Sequence, residues 1–445
     1  MDLLRKLALR RATTVTVEAP APTPDPHEEA HAERLTRLRT MLDQMIARQK
    51  ARDKTEPPSP LAPQDRPRKY HLRTGPLPGA LRETEHGPIH VVLQTLETHH
   101  CHGKVPVASA LRARGETIAK LALDPSLAGI DPRGFLYLDT ETTGLMGGAG
   151  TLAFLLGLAW FEDESLVLEQ ILLRTPADEP AMLRHLLERL KKASAIVTYN
   201  GKSFDWPLIK SRFVMNRMEV PPDPPHLDLV HAARRVFRRR LGEVRLTTLE
   251  RALLGFRREH DVDGHEIPAL YWAMIRSADS SMLTPVVEHN ANDLVALAGV
   301  LAILSDRFEN LRSGDDPSDH LGFAHTAARA ADPERASLFA HAAATGGGDA
   351  PTTLAALVLS ARLAIRRRDH AEAARLYAEA LGHGAPHEIA LVHLCLAKLY
   401  EHQLADPMQA QAHAAFTAPA EGFEKHDKRR AWLVARCAKK GLSIS

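Results

Sequence analysis

The chain is poor in cysteine: it has only Cys101, Cys395 and Cys437. Residues so few and so scattered form neither a disulfide framework nor a zinc signature. Long hydrophobic runs are also missing, and no apolar stretch approaches the roughly 20 residues of a membrane span. The start, MDLLRKLALRR, is basic but interrupted by charge, and it lacks the long apolar core of a secretory leader. Nor does charge of one sign prevail: 57 basic and 55 acidic residues leave a net charge of +2, which alone says nothing for a polyanionic partner. The expectation left by these absences is a cytoplasmic protein. At 445 residues it exceeds what one hydrophobic core usually serves, so two folded domains plus linkers are expected.

What is present is a strand-like run ending in paired acids, FLYLDTETTGL, with Asp139 and Glu141 two residues apart. Side chains at i and i+2 of a strand share a face. Two carboxylates crowded there repel unless a cation lies between them, which predicts a divalent-metal site at the end of a buried strand. After a second apolar run, ASAIVTYN, the segment YNGKSFDWPLIKSRF brings Asp205 just past a strand end, after a turn around Gly201. The helix it opens has apolar positions that include Phe204, Leu208 and Phe213. Farther on, EHNANDLVALAGVLAIL is helical, with Leu294, Leu297, Leu301 and Leu304 on one stripe. Its His289 and Asp293 are spaced i, i+4 and share a face.

An isolated acid at a strand end is usually a cap or a turn former. The ordered set DTETTGL, YNGKSFDWP, HLDLVHAARR, LTTLE and HNANDL is more specific: it resembles the YprB-type ribonuclease H-like domain, within the DEDD exonuclease superfamily, over roughly residues 76–306. The resemblance implies an α/β fold, a mixed sheet flanked by helices, and a 3′–5′ exonuclease acting on DNA or RNA. DNA repair or nucleic-acid processing is the matching family-level expectation. It further implies that Asp139, Glu141, Asp205 and Asp293 hold two Mg²⁺ or Mn²⁺ ions, with Asn200 supporting the second block. Carboxylates suit such hard cations, and two ions can serve the attacking and leaving oxygens of an in-line displacement. His289 is the candidate to orient or deprotonate the water. Its spacing departs from the superfamily: members with a catalytic His have four residues before the last Asp, members with a Tyr three, and this chain has His with three. Whether His289 is a base or only hydrogen-bonds a water or phosphate stays open.

Basic residues concentrate in HAARRVFRRRLGEVRLTTLERALLGFRRE. Guanidinium groups pair well with phosphates, so Arg234, Arg235 and Arg239, with Thr142 and Asn200, are the candidates for nucleic-acid contact. A solvated helix face is the plain alternative. His99, His100, Cys101 and His102 invite a zinc proposal, but contiguous ligands wrap one tetrahedral ion poorly. His226 and Asp228 are expected to end a strand near the site as supporting residues. The GGAG of residues 147–150 is expected to be a tight loop beside the substrate channel, because a strand rather than a helix follows it.

Composition divides the chain into a basic, Pro-rich tail with one helix over 1–75, an enzyme domain over 76–306 with its core at 133–306, and an alanine-rich helical region over 320–445. In the last of these, Asp369 matches Asp406 and Ala373 matches Ala410 in two helical hairpins similar to degenerate tetratricopeptide-type repeats. They suggest a protein-partner surface, a clamp on the substrate or a plain helical cap. The expectation is therefore a two-metal nuclease. The rival is a non-catalytic nucleic-acid-binding scaffold that kept the fold.

Overall fold

The computed structural model describes residues 77–144 and 150–440. The chain divides into two units, Met1–Tyr70 and His71–Ser445, and every described residue belongs to the second. The helix expected in the tail, and residues 147–149 of the glycine-rich loop, lie outside the described residues.

A seven-stranded mixed sheet forms the centre: β1 (Ala80–Thr84), β2 (Gly87–Leu96), β3 (Phe135–Thr142), β4 (Ala153–Glu162), β5 (Ser165–Leu172), β6 (Ala195–Thr198) and β7 (His226–Asp228). The spatial order is β1-β2-β5-β4-β3-β6-β7. β3 pairs antiparallel with β4 on one side and parallel with β6 on the other, so the sheet changes character at the strand that carries the paired acids. Phe135 and Tyr137 face one apolar cluster, Leu136 and Leu138 the other. A strand buried on both faces must read as a continuous apolar run, and FLYL does.

The residues read as a lead-in supply two strands. β1 and β2 form an edge hairpin, and β2 joins the sheet through β5. The weak sequence signal has a physical cause. Ile89 and Val91 are buried, whereas Leu93 is 55% exposed and β1 is solvated, so only part of the hairpin alternates.

Helices α2 (Glu179–Leu190) and α3 (Asp205–Met215) cover one face through Met182, Leu186, Trp206, Ile209 and Phe213. The other face is covered by α1 (Gly115–Ala122), α4 (Leu229–Leu241) and the long α6 (Thr284–Glu309), whose Leu294, Leu297, Leu301 and Leu304 are buried as their spacing predicts. α5 (Ile267–Ser277) precedes α6 and packs Ile267 and Tyr271 into the same cluster as α2 and α3. The span Ser280–Glu309 is long and apolar enough to cross a membrane by length and composition, contrary to the expectation from the sequence. Of its most apolar window 67% is buried inside the protein, which makes it a core helix.

The remainder is helical, built on α7 (Pro317–Arg329), α8 (Pro333–Thr345), α9 (Ala350–Arg366), α10 (His370–Ala380), α11 (Pro386–His402), α12 (Pro407–Ala414) and α13 (Phe423–Lys439). α7 crosses α4 closely. A Cβ on Gly322 would sit 2.5 Å from the backbone oxygen of Val236, so no larger residue fits there without parting the helices. The matched pairs of the two hairpins hold equivalent places: Asp369 and Asp406 cap α10 and α12, and Ala373 and Ala410 are fully buried.

Candidate active site

The end of β3 is the floor of the site. Asp139 is in register with Gly157 of β4, which is in register with Gln170 of β5. Asn290 of α6 lies over this row. Its Nδ2 donates to Asp139 Oδ2 at 2.7 Å, and its Oδ1 accepts from Gln170 Nε2 at 2.8 Å. The arrangement needs a glycine, because a Cβ at 157 would be 2.2 Å from Asn290 Oδ1. Buried Asn290 thus fixes one carboxylate oxygen of Asp139. Asn290 and Gly157 carried no signal in the sequence, since the partner of each comes from a distant segment.

Asp205 opens α3 and accepts a hydrogen bond from Thr140 Oγ1 at 2.5 Å. The turn before it is braced from β7. Asp228 accepts from the backbone N–H of Asn200 at 2.7 Å and of Lys202 at 3.0 Å, and it also caps α4. Asn200 has φ +70°, a left-handed conformation that asparagine tolerates better than most residues. His226 bonds Thr198 Oγ1 at 2.8 Å, and its burial pushes its pKa down to about 4. His226 and Asp228 thus bond the neighbouring strand and the turn before Asp205.

The third wall is built on α6. Ligand atoms of Glu141, His289 and Asp293 all lie within 4.8 Å of one another. His289 Nε2 is 3.5 Å from Asp293 Oδ2 and 3.9 Å from Glu141 Oε1. Its other nitrogen, Nδ1, is 2.6 Å from Asp261 Oδ1. Arg258 runs behind this wall, only 5% exposed, with Nε on Glu250 at 2.8 Å and its other nitrogens on Asp293 and Asp261. Glu250 in turn meets His102 at 2.8 Å, and the His102 ring stacks on Phe256 at 3.9 Å. A buried polar chain therefore joins the HHCHG segment to the site. Arg258 appeared in the sequence only as one of many arginines, and Asp261 not at all.

Electrostatics mark the cluster as overcharged. Burial, and then the charges of Asp293, Asp205 and Glu141, hold the Asp139 carboxyl well above the usual range. Burial raises Glu141 to about 8 against the opposing pull of His289, and it raises Asp205 to about 6. Burial disfavours a charged His289, but the Asp261 hydrogen bond and the nearby Asp293 and Glu141 outweigh it and lift the imidazole to about 9. Acids that retain protons because they are buried and crowded together are what divalent cations relieve. A donor set dominated by carboxylates fits a hard divalent cation.

Beside the acids opens a cavity of about 330 Å³ lined by residues that include Asp139, Thr140, Thr142, Tyr199, Asn200, Phe204 and Asp205. Thr142 and Asn200, two of the candidate nucleic-acid contacts, are thus at the site. Arg234 is exposed, and its charge acts on Tyr199. The other two candidates are committed elsewhere. Arg235 donates to the carbonyl of Leu121, and Arg239 to Thr352 Oγ1 at 2.9 Å. Neighbouring Arg240 forms a two-pronged pair with buried Asp319, at 2.9 and 2.7 Å. The amphipathic α4 turns Arg239 and Arg240 toward the C-terminal helices and Arg235 toward α1, an orientation that clustering in sequence does not reveal.

Residues 136–305 match the family model of the RNase_H superfamily. The domain is ribonuclease H-like. Over 197 residues the chain is 36% identical to an uncharacterized protein, YprB, of Bacillus subtilis (strain 168); the match is 44% of this chain and 47% of that protein. It therefore spans about half the length of that curated relative. Every residue of the acid cluster falls inside the ribonuclease H-like match, and so do Asp261, Arg258 and Asn290. His102 and the β1–β2 hairpin precede it.

Proposed function

We propose that the protein is a metal-dependent nuclease, a 3′–5′ exonuclease that hydrolyses phosphodiester bonds of DNA or RNA with two divalent ions. The observation that carries this reading is the convergence of Asp139, Glu141, Asp205 and Asp293, where burial and then the neighbouring acids hold the Asp139 carboxyl well above its normal range. These four would hold the ions. When bound, such ions lower the pKa of an attacking water and neutralise charge on the departing oxygen.

The chain's own residues then have separate tasks. Asn290 holds one oxygen of Asp139, and Thr140 holds one of Asp205, so their remaining lone pairs are aimed into the site. Asp261, 2.6 Å from His289 Nδ1, would hold the proton there in preference to the longer contact of that nitrogen with Arg258 Nη1 at 3.3 Å, and would leave Nε2 to accept a proton from water. Positive charge added beside that imidazole would lower its proton affinity, so that Nε2 is free of a proton near neutral pH. Thr142, Asn200 and Arg234 would contact the strand, and the C-terminal helices would offer a face to a protein partner.

The test is a time course on 5′-labelled single- and double-stranded DNA and RNA with Mg²⁺, Mn²⁺ or EDTA, alongside Asp139→Asn. Metal-dependent shortening from the 3′ end, absent in the variant, supports the reading. Equal cleavage by the variant removes the two-metal mechanism. Binding without cleavage favours the scaffold.

A further inference from the structure

A cavity of about 320 Å³, separate from the acid site, lies between residues 104–113 and residues 302–312. It shares no lining residue with the cavity beside Asp139. On α6 its Ser305 is twelve positions beyond Asp293, which at the rise of an α-helix is about 18 Å. Two cations stand in its wall without partners. Lys104 and Arg112 make no ion pair or side-chain hydrogen bond among the described residues, whereas Arg312 is held by Asp306. Both are mounted on fixed backbone. Lys104 lies in the turn of a short hairpin that pairs Cys101–His102 with Val105–Pro106, and its N–H donates to Leu254 O at 2.8 Å. Gly103 beside it permits that approach, because a Cβ there would be 2.2 Å from Leu254 O. Arg112 ends a 3₁₀ turn, Val107–Arg112, anchored by buried Val107 and Ala110.

The same wall contains an orphaned donor. Ser305 is 3% exposed, and its Oγ has no hydrogen-bond partner among the described residues. A serine inside a helix ordinarily returns its hydroxyl to a carbonyl one turn earlier, and a buried hydroxyl left unpaired costs stability. An oxygen of a molecule in the cavity would satisfy it. Glu309 accepts from Thr117 through Oε1 at 2.6 Å, and its Oε2 is uncommitted. Three cations and two carboxylates thus line the cavity, with a positive excess. An ammonium and a guanidinium fork without partners suit a phosphate. A carboxylate oxygen repels phosphate and accepts from hydroxyl groups. A bare phosphate answers only the first of these features, whereas a phosphate on a hydroxylated body answers both.

We propose that this cavity binds a small phosphate monoester with a hydroxylated body, the chemistry shared by sugar phosphates and nucleoside monophosphates. Lys104 and Arg112 clamp the phosphate, Ser305 donates to one of its oxygens, and Glu309 accepts from a hydroxyl of the body. At about 320 Å³ the cavity is at the lower end of the range for small-molecule sites, about 300–1,000 Å³. Occupancy ties the hairpin that carries His102 to the helix that carries His289 and Asp293.

The experiment titrates the full chain by calorimetry with ribose 5-phosphate, adenosine 5′-monophosphate, inorganic phosphate and ribose. EDTA is present throughout, so the acid site has no ion through which a phosphate could bind. Saturable binding of at least one ester is expected, about tenfold or more tighter than inorganic phosphate, with none of ribose. Equal affinity for the two esters marks the sugar phosphate as the unit recognised, and tighter binding of the nucleotide marks a nucleotide site. Lys104→Ala and Arg112→Ala should each weaken the ester about tenfold or more, the size of one lost hydrogen bond to a charged group. Their side chains are exposed and unpaired, so Tm without ligand should match the parent. Ser305→Ala should weaken the ester while Tm without ligand holds or rises, because an unpaired hydroxyl leaves the interior. Glu309→Gln should narrow the gap between ester and inorganic phosphate. Absence of saturable binding, inorganic phosphate as tight as both esters, or binding untouched by Lys104→Ala and Arg112→Ala overturns the site. A 5′-phosphorylated oligonucleotide that binds more tightly than either ester, and is weakened by the same two variants, overturns the small-ligand assignment in favour of a strand track. None of these outcomes bears on the nuclease reading.

Discussion

His289 Nδ1 lies 2.6 Å from Asp261 Oδ1, while its Nε2 faces Asp293 at 3.5 Å and Glu141 at 3.9 Å. One nitrogen is thus held and the other is left toward the acids. A His whose spacing to the last acid matches the position of a Tyr is in this way given an orientation suited to proton transfer. Asp261→Asn should lower kcat by about 10²-fold or more, the lower part of what a positioned acid or base contributes, with little change in KM. His289→Gln should do the same, and the double variant should be no worse than either, because the two residues act as a unit. Full kcat in Asp261→Asn would show that the pair does no proton work.

Arg258 is 5% exposed and pairs with Glu250, Asp261 and Asp293. Removing one partner of a buried ion network costs about 3–5 kcal/mol, because the charges left behind are neither solvated nor matched. Arg258→Gln should therefore lower the unfolding free energy by about that much, seen as an earlier denaturant midpoint with an unchanged slope. Arg258→Lys should fall between, since one ammonium cannot replace a guanidinium bonded through several nitrogens. A Gln variant as stable as the parent would mean that the network is solvated.

Proton linkage gives a prediction for the ion-free protein. Asp139, Glu141 and Asp205 have raised pKa values, Glu141 to about 8 and Asp205 to about 6. Between the ordinary carboxylate range and these values the folded protein binds more protons than the unfolded chain, so its stability falls as pH rises. His289, raised to about 9, contributes stability that is complete below its normal 6.5 and is lost as pH climbs toward 9. All four groups act with the same sign. In EDTA, Tm should decline from about pH 6.5, above which the depressed His226 no longer opposes the trend, to about pH 9. Saturating Mn²⁺ should raise Tm more at pH 8.5 than at pH 5.5, because protons compete with the ion at low pH. A free ion concentration a hundredfold above Kd supplies about 2.7 kcal/mol. An ion effect independent of pH would place the ion away from these acids.

The parts of the fold that a local pattern encodes were legible in the sequence. The run ending in the paired acids is β3, ASAIVTYN holds β6 and the leucine stripe is α6, because a strand buried on both faces reads as a continuous apolar run and a buried helix face repeats its apolar residues. The acids were legible for a similar reason: Asp139 and Glu141 lie toward the end of β3, Asp205 opens α3, and Asp293 follows His289 by one turn of α6. What required the structure was every relationship between distant segments. Asn290 over Gly157, Arg258 behind Asp293 and His102 on Glu250 join residues separated by 133, 35 and 148 positions in the chain. Phe204 departs from its expected place for a local reason. A one-residue shift in where α3 begins moves a ring from the stripe to the cap.

The arginines of α4 supply the clearest separation of binding from folding. Arg240 pairs with Asp319 through two nitrogens, Asp319 is buried, and Arg235 donates to the Leu121 carbonyl. Arg234, three residues after His231, is exposed and its charge reaches Tyr199 of the cavity. A phosphate contact contributes to affinity uniformly across sequences and adds about one unit to the salt slope, whereas an internal pair contributes to stability. Arg234→Ala should thus weaken strand binding and flatten the dependence of log K on log salt by about one, with Tm unchanged. Arg240→Ala should lower Tm by leaving Asp319 unmatched, with the salt slope intact, because its guanidinium never reaches the strand. Titrations of a labelled oligonucleotide at several salt concentrations, paired with thermal melts, separate the two. If Arg240→Ala flattened the slope as much as Arg234→Ala, the C-terminal helices rather than the cavity wall would be carrying the backbone.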